Sequence, residues 1–140
     1  MNVLVIDSSV AAKWFVAEPF RENALSLLGP ATRLHAPDFF LLEMDNIASK
    51  WVRRKVLSAS DGQSTRAAIR DVPMKLHPTR ELIERAFQLT LWTQSSFYDC
   101  LYLALSIDLN APTITADRRF FENIAAGPMR SHVRWVGDLG

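Results

Sequence analysis

The stretch VLVIDSS, residues 3–9, constrains the fold more than any other part of the chain. Val3 to Ile6 are four apolar residues, three of them β-branched, with no polar alternation. A strand of that kind is covered on both faces, as in a parallel sheet flanked by helices. It runs straight into Asp7, and the SSVAAKWFV that follows is helix-compatible, so Asp7 stands at a strand-to-helix turn. In open α/β sheets the crevice at the carboxyl ends of the strands is where ligands bind. Asp7, Ser8 or Ser9 serves equally well as a helix cap, and one residue alone does not choose between the two roles.

The rest of the chain continues the alternation. Helical stretches are PFRENALSLL, Asp38 to Arg54, about Ser64 to Asp71 after a turn at Ser60–Gly62, TRELIERAFQLTLW with Thr79 as N-cap, SSFYDCLYLALSIDL, and DRRFFENIA. Short strands are RLHAP, MKLH, PTIT and VRWV. The pattern predicts a three-layer α/β/α sandwich around a mainly parallel sheet, and residues 1–140 fit one domain. With 16 Lys+Arg against 15 Asp+Glu the net charge is +1, so only the distribution of charge can speak for a nucleic-acid partner. The single cysteine, Cys100, rules out an intrachain disulfide and gives no zinc-site spacing. No apolar run approaches a membrane span, and the N-terminus lacks a basic signal-peptide region, so the expected location is the cytoplasm.

Three more carboxylates join Asp7. Glu43, in PDFFLLEMDN, falls at the margin of the apolar face of its helix, with Phe39 and Ile47 one turn to either side and no local salt bridge. Asp45 projects to nearly the opposite side and reads as a solvated residue, while Asn46 shares the side of Glu43. Asp99 lies on a helix whose only other charge between Phe97 and Leu109 is Asp108. It is either the partner of Ser96 in an S-x-x-D cap or a ligand, and the two roles are compatible. Asp117 follows the β-branched PTIT strand as Asp7 follows VLVI, again with N-capping as the alternative. If the two strands are parallel neighbours, both carboxylates face one crevice. Carboxylates that close do not all stay ionised at neutral pH unless a cation joins them. A hard divalent ion such as Mg²⁺ or Mn²⁺ suits such donors, activates water and stabilises phosphoryl oxygens. No P-loop, GxGxxG or metal-spaced histidine set competes; His35, His77 and His132 read as structural. Basic residues stand where a phosphate backbone would need them, at Lys50 and Arg54 in KWVRRK and at Arg118 and Arg119. Helix C-terminal cations that complement the helix dipole are the alternative for KWVRRK. Trp14, Trp51 and Trp92 read as core or interface residues.

The order VIDSS, PDFFLLEMDN, SSFYDCLYLALS and TITADRRF resembles the PIN-domain nucleases, and within them the VapC-type toxins of toxin–antitoxin pairs. The resemblance spans Val3 to about Trp135. It implies that Asp7, Glu43, Asp99 and Asp117 are an acidic quartet binding Mg²⁺ or Mn²⁺ and hydrolysing RNA phosphodiesters. Ser9 and Thr115 match polar positions beside the metal, and Asn46 fits the helix pattern after the glutamate. It also implies a homodimer and inhibition by a cognate antitoxin. Cys100 stands where the family usually has alanine, and Asn110 where glycine commonly ends the helix. The competing readings are an RNA-binding or regulatory PIN domain with little catalysis, and an α/β metal-dependent phosphatase.

Overall fold

A computed structural model describes residues 2–139. Five strands, β1 (Asn2–Ile6), β2 (Thr32–Pro37), β3 (Met74–His77), β4 (Thr113–Thr115) and β5 (Val133–Trp135), form one sheet in the order β3-β2-β1-β4-β5. Every pairing is parallel, as the VLVI run predicts. Seven α-helices connect the strands among the described residues: α1 (Ser8–Ala11), α2 (Arg21–Leu25), α3 (Phe40–Arg53), α4 (Ala59–Asp71), α5 (Ile83–Thr93), α6 (Phe97–Leu109) and α7 (Arg118–Ala125). The expected α/β sandwich is therefore the observed one.

Strand order reverses direction between β1 and β4, which makes their carboxyl ends the topological switch point. The core is built around that centre. Val5 and Ile6 of β1, Ile114 of β4, and an unbroken run from Cys100 to Ser106 of α6 are fully or nearly fully buried. A helix buried on all sides carries few polar groups, which is why the α6 sequence looks apolar all round. Asn110 ends α6 in the left-handed conformation, φ 49°, where asparagine replaces the usual glycine at little cost. No helix among the described residues is long and apolar enough to cross a membrane.

Two local expectations are corrected. The turn expected at Ser60–Gly62 is helix: α4 begins at Ala59, and the Ser58 hydroxyl accepts from the Asp61 amide as its cap. Gly62 lies inside α4 because α3 passes so close that a Cβ there would stand 2.5 Å from Val52 Cγ2. Its small size serves helix packing, not a turn. Thr79 does not cap α5, which starts at Ile83 after a 3₁₀ turn at Thr79–Glu81. The Thr79 hydroxyl donates to Asp38 Oδ1 at 2.5 Å and accepts from the Phe39 amide at 2.9 Å, pinning the start of α3 to the chain leaving β3. His35 and His77, expected to be scattered structural residues, stack on neighbouring strands with their ring nitrogens 2.9 Å apart.

Removing the α4 cap with Ser58→Ala costs about 1 kcal/mol of stability, read as a lower urea midpoint at unchanged m. An unchanged midpoint would show that packing of Gly62 on Val52 alone fixes the start of α4.

Candidate active site

Asp7 occupies the N-cap position of α1, yet its side chain makes no capping hydrogen bond. Its Oδ2 accepts instead from the Ser9 hydroxyl at 2.8 Å and the Thr115 hydroxyl at 2.7 Å. Those hydroxyls are themselves oriented by main-chain donors. The Ala116 amide donates to Ser9 Oγ at 3.0 Å and the Asp117 amide to Thr115 Oγ1 at 3.0 Å. The ends of β1 and β4 are thus knitted together through one carboxylate. Asp7 is only 4% exposed. Burial pushes its pKa above the ordinary value, the hydroxyl bonds oppose that rise, and the charge of Asp117 adds to it.

Glu43 comes from the first turn of α3. Its Oε1 accepts from the Tyr102 hydroxyl at 2.7 Å, and Ser8 supplies a further hydrogen bond. Burial raises the Glu43 pKa, and the Asp7 charge contributes. Asp99 lies in the first turn of α6, where its amide donates to the Ser96 hydroxyl and its carboxylate also shares a hydrogen bond with that hydroxyl, so the expected S-x-x-D cap forms. Burial, then the charge of Asp7, with lesser contributions from Asp117 and Glu43 and against the pull of the Ser96 hydrogen bond, pushes Asp99 up to about 7. Asp117 does cap: its Oδ1 accepts from the Phe120 amide at 3.1 Å at the start of α7. Capping and membership in the cluster coincide there.

Carboxylates from four parts of the chain are thus electrostatically linked: Asp7 feels the charge of Asp117, Glu43 that of Asp7, and Asp99 that of the other three. The ion pairs found among the described residues lie on other acids: Glu18 with Lys13, Asp45 with Arg66 and Arg70, and Asp108 with Arg85. Asp45 is a correction, since it is not simply solvated. It bridges α3 to α4 through two guanidiniums, whose hydrogen bonds hold its pKa down at about 2. Glu43 is the α3 carboxylate that joins Asp7, as the helical projection indicates. Among the described residues no group of three or more His, Cys, Asp or Glu side chains is placed so that it could hold a metal ion as it stands. In chemistry, though, the donors suit a hard divalent cation: they are carboxylates, and none of these ion pairs supplies them with a side-chain cation.

Asn46 is exposed on α3 and makes no hydrogen bond to the quartet among the described residues. Lys50 and Arg54 are exposed toward the far end of α3, about 10 and 16 Å along its axis from Glu43. Arg118 is engaged elsewhere, its guanidinium carbon 3.9 Å from the ring centre of Trp135. Its neighbour Arg119 instead lines a cleft of about 440 Å³ shared with Asp99 and Asp117. Arg119 is singled out with Arg118 by the sequence, whereas Tyr102 and Ser8 are site neighbours that the candidate set lacks. For Tyr102 a signal existed: it follows Asp99 by three residues, hence on the same side of α6.

Residues 4–127 match the family model of the PIN domain. The chain belongs to the PIN-domain family. PIN-domain nucleases depend on divalent metal ions. The chain is 29% identical over 125 residues to Ribonuclease VapC3 of Pyrobaculum aerophilum, covering 88% of this chain and 95% of that one. Two solved structures share the fold. A toxin–antitoxin complex from Klebsiella pneumoniae gives a TM-score of 0.66 at 18% identity, over 94% of this chain and 95% of that one. The Mycobacterium tuberculosis VapC20, a Sarcin-Ricin loop cleaving toxin, gives 0.64 at 17% identity, over 89% and 95%.

The cluster sets a pH dependence for the metal-free protein. Asp99 binds its proton in the folded state up to about pH 7 but in the unfolded chain only near the ordinary carboxylate value of 3.8. Between those limits the folded state holds more protons, so this stabilising contribution is present at low pH and lost as pH rises through 7. Asp99→Asn accordingly stabilises the metal-free protein at pH 7.5 by about 1–2 kcal/mol, discounted for the solvent Asp99 retains. It also flattens the pH profile of Tm between 5 and 7.5. Equal melting of the variant and the parent at pH 7.5 would contradict it. The His35–His77 pair works oppositely, since both pKa values are lowered by burial, with positive neighbours adding to it; comparing variant with parent cancels that contribution.

Proposed function

We propose that this chain is a metal-dependent endoribonuclease acting on RNA phosphodiester bonds, and the toxin of a VapBC-type toxin–antitoxin pair. The observation that carries the reading is the convergence of Asp7, Glu43, Asp99 and Asp117 at the switch point of the sheet. The names of the relatives, a VapC ribonuclease and a toxin in complex with its antitoxin, support the toxin role. The whole chain acts as a single PIN-like domain.

The quartet would hold Mg²⁺ or Mn²⁺, the ions best matched to carboxylate and water ligands. When bound, such an ion activates water and neutralises charge on a scissile phosphate. The protein's own part is positional. Ser9 and Thr115 fix the rotamer of Asp7, Tyr102 and Ser8 fix Glu43, and the helix starts of α6 and α7 fix the backbones of Asp99 and Asp117. Asp99 or Asp117, facing the open cleft, takes the proton of the attacking water. Lys50 and Arg54 contact the substrate backbone beyond the cleft. A second copy of the chain docks on the exposed α5 stripe of Ile83, Phe87 and Leu91, which are 43%, 57% and 61% exposed and recur every fourth residue. Because its substrate is cellular RNA, the protein works in the cytoplasm.

Purified protein cuts total RNA into discrete fragments with Mn²⁺ or Mg²⁺ and not with EDTA, and Asp7→Asn lowers the rate by roughly 100-fold. Asp45→Ala retains cleavage while losing about 1 kcal/mol of stability. Cleavage by Asp7→Asn at the parent rate would remove the quartet from the chemistry. For the dimer, light scattering of Phe87→Glu reports a monomer where the parent reports two chains; a monomeric parent would refute that interface.

A further inference from the structure

Beside the acidic cluster the surface carries two adjoining hollows that the quartet does not explain. The first is the cleft of about 440 Å³ in which Arg119 faces Asp99 and Asp117. The second, about 300 Å³, is bounded by Trp92, Pro128 and Met129. Both fall within the size range of small-ligand clefts. Asn123 lines both. Its side-chain amide donates to the Thr93 carbonyl at 2.5 Å and the Ser95 hydroxyl at 2.6 Å, fixing the partition between them. Gln94, in the left-handed conformation with φ 62°, turns the chain sharply at the same rim. The wall is therefore shaped in advance.

Charge and aromatic surface are arranged along this path in a specific order. Arg119 is exposed, lines the cleft, and pairs with no carboxylate in the ion pairs among the described residues. Trp92 is 71% exposed, so of the core and interface roles expected for it the core one is excluded. It also stands off the apolar stripe of α5, about 140° around the helix from Phe87. An exposed indole and a guanidinium outside these ion pairs, in hollows that share the polar Asn123, match a nucleotide: a phosphate for the cation, an unstacked base for the ring.

We propose that Arg119 and Trp92, separated by Asn123, form a subsite for an unpaired nucleotide next to the scissile phosphate, with its phosphate on Arg119 and its base stacked on Trp92. The subsite rests on the ribonuclease reading and makes the preferred substrate single-stranded or looped, because duplex bases offer no free face.

The test uses fluorescence anisotropy with a labelled single-stranded RNA and its duplex, in the Asp7→Asn background so that the probe survives. Trp92→Ala weakens single-strand binding about tenfold and duplex binding little, while Trp92→Phe stays within about threefold of the parent. Arg119→Ala lowers the slope of log affinity against log salt by about 0.7, and Arg118→Ala leaves that slope unchanged. Thermal melts confirm that each variant is folded. Unchanged affinity and slope in Trp92→Ala and Arg119→Ala overturn the subsite. So does a Trp92→Ala that dissociates a dimer without altering RNA binding, since Trp92 is then a protein contact. Cleavage by the unsubstituted protein, measured alongside, separates the two readings. Cleavage with indifferent variants sinks the subsite alone, and absence of both cleavage and RNA binding sinks both.

Discussion

Asp7 is a carboxylate almost out of contact with water, bonded to two hydroxyls and surrounded by other acids, and the carboxyl edge of the sheet is organised around it. Such a group is costly to keep ionised. The two hydroxyl bonds recover part of the cost, and the strand order makes them available: only a parallel pairing of β1 with β4 brings Thr115 level with the end of VLVI. The remaining cost shows as raised pKa values across Asp7, Glu43 and Asp99. Protons or a divalent cation relieve it, so the tension among these side chains is a reservoir of binding free energy for a positive ligand.

The acids of the ion pairs are held in a quite different way from this cluster. Asp45, two residues from Glu43, shows the contrast. On the outer side of α3 it is matched by Arg66 and Arg70 and contributes to holding α3 on α4. On the inner side Glu43 has only a tyrosine and a serine. Neighbouring acids on one helix therefore have opposite environments, one matched by cations and the other by neutral hydroxyls alone.

Much of this was legible in the sequence, for reasons that can be named. VLVI announces a doubly covered strand because burial on both faces removes the alternation, and the two strand-end aspartates announce a shared crevice once the sheet is parallel. The helical projection separates Glu43 from Asp45 because the period of a helix is fixed. What could not be read is what depends on distant approach. Gly62 looks like a turn residue until Val52 is seen pressing on it. Thr79 looks like a cap until Asp38 claims its hydroxyl. Arg118 and Arg119 are indistinguishable in sequence, and only the position of Trp135 shows that one is occupied. Asp7 looks like a cap as much as a ligand, and its hydroxyl partners include one 108 residues away.

That separation has a consequence for how the protein comes into being. Asp7 is synthesised well before Thr115 and Asp117. Until β4 slots in beside β1, the aspartate has no hydroxyl cradle from β4 and the quartet lacks a member. Contacts this distant in sequence form late, after the intervening chain is complete. The hydroxyl cradle of Asp7 is thus completed only after Thr115, 108 residues further along, has been made and has folded into place.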